Sequence, residues 1–346
     1  MQSIARLLAA LMLFSLLGFS DSLSVAADPE VQVVLEGLDN PCGVAVQPGT
    51  GHVFVSDSAA LRVMRYVTGD SSRPEAAITG FPKDVYGKGP MYDIGPLGLA
   101  FIDRQTLVVG GGGLPDGSEL LRIYTVPPAG RTISADRMKY KLGPLAPSEQ
   151  TVMGEGNFYG VAVTDQGIYV TCNGDDTKGW ISRATLSGGK PGDYAPFIAT
   201  KVATEVDAPV GITVDKAGNL VVGQMGEINV PQDSLLTVYN ASSGEMISNA
   251  ETGLFDITAL AYSPKSGKLY ALDFAWMDTS QGGLFRLDVT GVGLDTEVKA
   301  VQILELDKPT AMSFAPDGTL YVTVFGTAAE GSSIRPGKLL KVTGDL

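Results

Sequence analysis

The chain has 346 residues, a formal net charge of −13, one histidine and two cysteines. That charge disfavours nucleic acid and anionic membrane surfaces as partners, since both are bound through basic faces. A single His and two Cys leave zinc, haem, Ser-His-Asp and Cys-His systems without the residues they need.

The N-terminus reads as a secretory signal peptide. Arg6 supplies its positive charge, Leu7 to Phe19 its apolar stretch, and Val25-Ala26-Ala27 the small residues before a cut ahead of Asp28. The apolar stretch falls short of the roughly 20 residues that span a bilayer, and no later segment is apolar enough to cross one. Residues 1–27 are therefore expected to be removed. Residues 28–346 are expected to form one exported domain, periplasmic or extracellular, and a monomer.

A unit of about fifty residues then recurs six times, which is the signature of a propeller. Each unit opens on a small residue followed by an apolar triplet. The small residues are Gly43, Gly98, Gly160, Gly211, Ala259 and Ala311. Innermost strands crowd around the axis, so a bulky side chain there would clash. Tight turns follow, such as Pro48 to Gly51, Asp165-Gln166-Gly167 and Pro316-Asp317-Gly318, with residues that tolerate hairpin geometry. Second strands such as Val53 to Asp57 and Leu220 to Val222 are nearly continuous apolar runs, as strands buried on both faces require. Third strands include Leu61 to Tyr66 and Leu235 to Tyr239, and weaker fourth strands include Ala76 to Thr79, Met138 to Lys141 and Val298 to Leu304. The sixth unit lacks a fourth strand, while Val31 to Leu35 precedes the first unit with no partner. That segment is expected to close the ring as the outer strand of the last blade. The fold class is thus all-β, a six-bladed β-propeller. Cys42 and Cys172 fall in its first and third units, too far apart to be expected as a disulfide.

Pro41-Cys42-Gly43, Val53 to Asp57 and Arg62 to Tyr66 resemble the NHL repeat. They are similar also to the wider six-bladed group of SMP-30/gluconolactonase and streptogramin-lyase-like propellers. The resemblance implies a propeller over the whole mature chain. For the gluconolactonases it implies a divalent metal held on the axis by Glu and Asn, the Asn standing just before the Gly that opens an inner strand. The matching positions here are Cys42, Leu97, Tyr159, Val210, Thr258 and Thr310, none of which is Asn, Asp, Glu or His. Streptogramin lyases use a catalytic His, whereas His52 lies in a turn on the opposite face and reads as an exposed turn residue.

Function is expected on the face that carries the loops between second and third strands and the inter-blade connections. Gly110 to Gly113 reads as a flexible loop, since no helix or Lys-Ser/Thr follows it to cradle phosphate. Asn173 to Asp176 reads as a solvated acidic turn rather than a calcium loop. Pro82 to Tyr92 and Gly143 to Gly154 read as insertions between blades. Asp39, Asp207 and Asp307 recur in register, as do Asp57 and Asp273, and all five read as turn or structural residues. The less repetitive polar residues Asn40, Asp93, Glu155, Asn157, Asp256 and Lys308 are expected to ring the channel mouth as a ligand-binding set. Tyr92, Phe158, Phe274 and Trp276 are expected to form an aromatic patch on the loop face.

The leading expectation is a non-catalytic binding module that presents this face to a protein, peptide or glycan, with no cofactor. The alternative is a calcium-type, metal-dependent hydrolase of a lactone or sugar-derived substrate. Its metal ligands would then be Asp93, Glu155, Asn157 and Asp256. A propeller holding a redox quinone is disfavoured by the scarcity of basic and His residues.

Overall fold

The computed structural model describes residues 28–69, 73–87, 89–145, 147, 156–172 and 179–346. The expected signal peptide, Glu155 and the acidic turn Asn173 to Asp176 lie outside the described residues. Six antiparallel sheets form the blades of a ring. Their innermost strands, blade 1 to blade 6, are Pro41–Val46, Pro96–Asp103, Phe158–Val163, Pro209–Val214, Ile257–Tyr262 and Pro309–Phe314. Each inner strand touches the next, and the first touches the last, so the ring is closed at its centre.

The small residue at the start of each inner strand is fixed by backbone proximity. A Cβ on Gly43 would strike the Leu97 carbonyl of the next blade, one on Gly98 the Tyr159 carbonyl, and one on Gly160 the Val210 carbonyl. A Cβ on Gly211 would come within 3.1 Å of the Ala259 backbone, a tight contact rather than a clash. At Gly43, Gly98 and Gly160 only hydrogen lets the strands approach this closely, whereas blades 5 and 6 admit Ala259 and Ala311 at the same position. The cores lie between blades. Phe54, Val109 and Tyr124, for example, pack blade 1 against blade 2, and Leu272, Leu320 and Val342 pack blade 5 against blade 6.

The N-terminal strand Glu30–Leu38 pairs antiparallel with Gly337–Thr343 and completes blade 6, as its unpartnered sequence anticipates. Blade 1 carries an unanticipated fifth strand. Ile133–Ser134, which follows the third strand of blade 2, returns to pair in parallel with the blade 1 outer strand Arg73–Thr79. Tyr124 donates to the Ala135 carbonyl at 2.8 Å and Thr132 to the Ala76 carbonyl at 2.7 Å, fastening the crossover to both blades.

Two local expectations are corrected. Gly110 to Gly113 is not a flexible loop. Gly110 and Gly111 end the strand Thr106–Gly111, and all four glycines are buried. A Cβ at each would strike the Phe158 carbonyl, the Glu119 carboxylate, the Leu97 side chain and the Pro82 carbonyl in turn. The run is glycine because the backbone is packed on every side there. His52 is half-buried rather than exposed, with Nδ1 at 3.2 Å from the Thr68 hydroxyl. No disulfide joins Cys42 and Cys172, and both are buried.

Gly98→Ala should lower stability by about 1–3 kcal/mol or more, because the Tyr159 carbonyl it meets belongs to a strand that cannot retreat. A urea unfolding midpoint unchanged from wild type would show that the ring can relax at this contact.

Candidate functional site

Every inner strand begins with a break in register to its neighbour. The breaks fall between Pro41 and Gly43, Pro96 and Leu99, Phe158 and Val161, Pro209 and Gly211, Ile257 and Ala259, and Pro309 and Ala311. A bulge of this kind re-aims the side chain it contains. Cys42, Leu97, Tyr159, Val210, Thr258 and Thr310 occupy the breaks, and all six line one axial cavity of about 70 Å³. That is several times the roughly 10–15 Å³ a single water needs.

The ring of six is apolar in effect. The Thr258 hydroxyl donates to the Pro309 carbonyl at 2.9 Å and the Thr310 hydroxyl to the Pro41 carbonyl at 2.6 Å, so both are turned to neighbouring backbone. Burial pushes the Cys42 thiol up to about 12 and drives the Tyr159 phenol well above its usual range. Neither group ionises near neutral pH.

The loop-face side of the cavity is roofed by the inserted segment after blade 1. Asp84–Tyr86 and Tyr92–Ile94 pair as a small antiparallel hairpin. Tyr86, Tyr92 and Ile94 line the cavity together with Phe274 and Trp276 from blade 5 and Phe325 from blade 6. Tyr92 meets Trp276, Phe325 and Phe274 edge-on, with centroids 5.2, 5.0 and 6.2 Å apart. The Trp276 indole donates to the Gly89 carbonyl at 3.3 Å, joining the hairpin to the far side of the mouth.

The expected loop-face patch is therefore corrected. Phe274 is 2% exposed and Trp276 9% exposed, because their rings are folded inward against the hairpin. Tyr92 is half-buried in the same cluster. Phe158 is 0% exposed and belongs to the core between blades 2 and 3, edge-on to Tyr194 at 5.8 Å. The side chain after it, Tyr159, is the one aimed at the axis.

The expected polar set separates into different roles. Asn40, Asn157 and Lys308 have left-handed φ values of 47°, 49° and 57°, and Ala208 shares the position and the conformation at 55°. The chain turns there into the inner strand in four of six blades, and Asn is the side chain that best tolerates it. Asn40 also donates to the Asp93 carbonyl at 3.1 Å and so tethers the hairpin. Lys308 Nζ donates to the Thr327 hydroxyl at 2.7 Å, holding the long loop after it. Asp93 pairs with Lys83 at 2.6 Å on the exposed rim. Among the described members of the set, Asn157 alone lines the cavity.

Asp256 is 2% exposed. Its Oδ2 accepts the Trp276 amide at 2.5 Å, which orients the loop that carries the indole. Burial first, and then the charges of Asp273 and Asp233, raise its carboxyl to about 7. Asp273 accepts from the amides of Phe255, Asp256 and Ala275, and Asp57 from the amide of Asp39, so both hold turns as their recurrence suggests.

Among the described residues, the donors do not fit a calcium-type centre. Among the described residues no three of His, Cys, Asp and Glu are close enough together to hold a metal ion. Asp93 is engaged by Lys83, Asp256 accepts a backbone amide, and the axial ring offers three hydroxyls, Tyr159, Thr258 and Thr310, each already turned to a carbonyl. No helix among the described residues is long and apolar enough to cross a membrane.

No family model and no curated protein matches the chain. Solved structures do. The chain is similar to the soluble aldose sugar dehydrogenase of Escherichia coli in its apo form, at 14% identity and a TM-score of 0.57, over 92% of this chain and 100% of that one. It is similar to a gluconolactonase of Xanthomonas campestris, at 12% identity and 0.57, over 92% and 91%. It is similar also to a luciferin-regenerating enzyme, at 13% identity and 0.60, over 91% and 95%. At these identities the likeness shows the fold alone, a six-bladed β-propeller, over nearly the full length of each partner.

Asp256 gives this region a pH signature. Its carboxyl is raised in the folded chain, so the stability it contributes is complete below its unfolded pKa and is lost as pH rises through about 7. Relative to Asp256→Asn, the wild-type chain should lose roughly 2–4 kcal/mol between pH 4 and pH 8. Urea midpoints of the two proteins across that range test this, and a constant difference would refute it.

Proposed function

We propose that this propeller acts on a compact, largely apolar small molecule, which it takes into the axial cavity beneath the hairpin. The observation that carries this reading is the enclosure. Six blades each send one side chain to the axis, and three loops fold aromatic rings over them. Burying an apolar body against such walls is favourable at about 25 cal/mol per Å², and the Asn157 side chain offers one polar contact to orient it. Presentation of the loop face to a protein, peptide or glycan is less well supported, because the aromatic anchors such a surface needs are turned inward.

The names of the structural neighbours favour an enzyme over an inert binder, and among them a gluconolactonase points to a hydrolase of a lactone. For this chain that reading carries two constraints of its own. A polyhydroxylated sugar would leave hydroxyls unpaired against apolar walls, so the substrate is better taken as a lactone of apolar body. Acid–base work near neutral pH falls to Asp256, which lies behind Trp276. Export, read from the N-terminal sequence, would place the ligand outside the cytoplasm.

Trp276 reports on the cavity directly. Titration with small cyclic lactones and ketones should change its fluorescence and raise the melting temperature, as binding to the folded state requires. Val210→Phe, which fills the cavity from the ring, should abolish both effects while the chain still folds. Retention of binding in that variant would move the ligand elsewhere. Lactone hydrolysis that EDTA abolishes and calcium restores would establish the metal-dependent reading instead.

A further inference from the structure

One member of the axial ring is out of scale with the rest. Five positions carry Cys, Leu, Val, Thr and Thr, and the sixth carries Tyr159. Its hydroxyl donates to the Thr310 carbonyl at 3.1 Å. Tyr159 belongs to blade 3 and Thr310 to blade 6, so the side chain crosses the axis to the opposite blade. Thr310 is itself held, its hydroxyl at 2.6 Å from the Pro41 carbonyl and 2.9 Å from the Thr323 hydroxyl. The phenol is thus anchored at both ends of its reach.

Beyond the ring, towards the far face, the inner strands continue with Ala100, Thr213, Ala261 and Ser313, which are half-buried, and with Ala45 and Ala162, which are buried. The other five ring residues are all buried, so packing is looser beyond the ring than at it. The apolar cavity lies on one side of the Tyr159 ring and these half-buried positions on the other.

We propose that Tyr159 is a specificity-determining residue that makes the axial pocket blind-ended and so limits the length of the ligand it accepts. The proposal rests on the reading of the cavity as the ligand site. It goes beyond that reading by assigning the length limit to one side chain. With the tyrosine in place, a ligand that enters from the hairpin side ends against the phenol ring. Without it, the cavity would extend past the ring towards these half-buried positions and an alkyl tail could follow.

The test is a series of straight-chain 1-alkanols, from butanol to dodecanol, titrated against the mature protein with Trp276 fluorescence and thermal shift as readouts. In wild type, affinity should rise with length and then fall at a sharp limit. In Tyr159→Ala that limit should lengthen by about three or more carbons, with affinity rising up to about fourfold per added methylene over the extra length. Tyr159→Phe, which keeps the ring and removes only the hydroxyl, should keep the wild-type limit. Tyr159→Leu serves if the alanine variant does not fold. The same limit in wild type and in the shortened variant would overturn the role of Tyr159 while leaving the cavity as the site. Failure of every protein to bind any alkanol, or binding that leaves Trp276 unchanged, would overturn the axial site itself.

Discussion

The close approach of six inner strands around one axis is the constraint on which the rest depends. Strands that meet at Gly43, Gly98 and Gly160 have no room for a side chain between them. The chain answers by placing its first bulky residue one step earlier, inside a break in the pairing register. A side chain at such a break cannot enter either inter-blade core, and the axis is the space left to it. The ring of axial residues is thus a geometric by-product of closing the propeller. Its chemistry is free to differ between chains that share the same backbone, which is why a shared fold says little about a shared reaction.

What this chain has done with that freedom is to make the axis greasy and close it above. The hairpin Asp84–Ile94 spans the mouth, and its rings interlock with Trp276 and Phe325 from the far blades. Polar atoms in the neighbourhood are spent on holding this roof. Asn40 ties down the hairpin backbone, and Asp256 holds the amide of Trp276. An Asp buried beside two other carboxylates is a costly way to orient a loop. That cost is sustained where loop position matters to function more than local stability does.

The propeller, its strand register and its closing strand were legible in the sequence because each is written in a repeated pattern, and six copies correct one another. The absence of metal-type donors at the six axial positions was legible for the same reason. What escaped were features that depend on contacts between distant segments. Nothing near Phe274 or Trp276 signals that a hairpin some way back in the chain will cover them, so they read as an exposed patch. Phe158 and Tyr159 are adjacent aromatics, and only the bulge decides which one faces the axis. Asn40, Asn157 and Lys308 looked irregular as side chains, although they share a backbone conformation that also admits Ala208. Gly110 to Gly113 had the composition of a loop, yet its packing comes from Pro82, Leu97, Glu119 and Phe158.

The pairing of Glu30–Leu38 with Gly337–Thr343 also imposes an order in time. On a ribosome the first strand of the ring emerges before every blade and its partner after the other strands of all six. Until that partner appears the first segment is a strand without a sheet, while blade 1 already stands without the neighbour that will cover its outer side. Loop closure over almost the whole chain is slow and comes last. In the interval, Leu35, Leu38 and the Val44 side of blade 1 are open to any passing edge. A chain built this way gains a seamless ring at the expense of a long vulnerable youth, and it matures in one step when its last strand arrives.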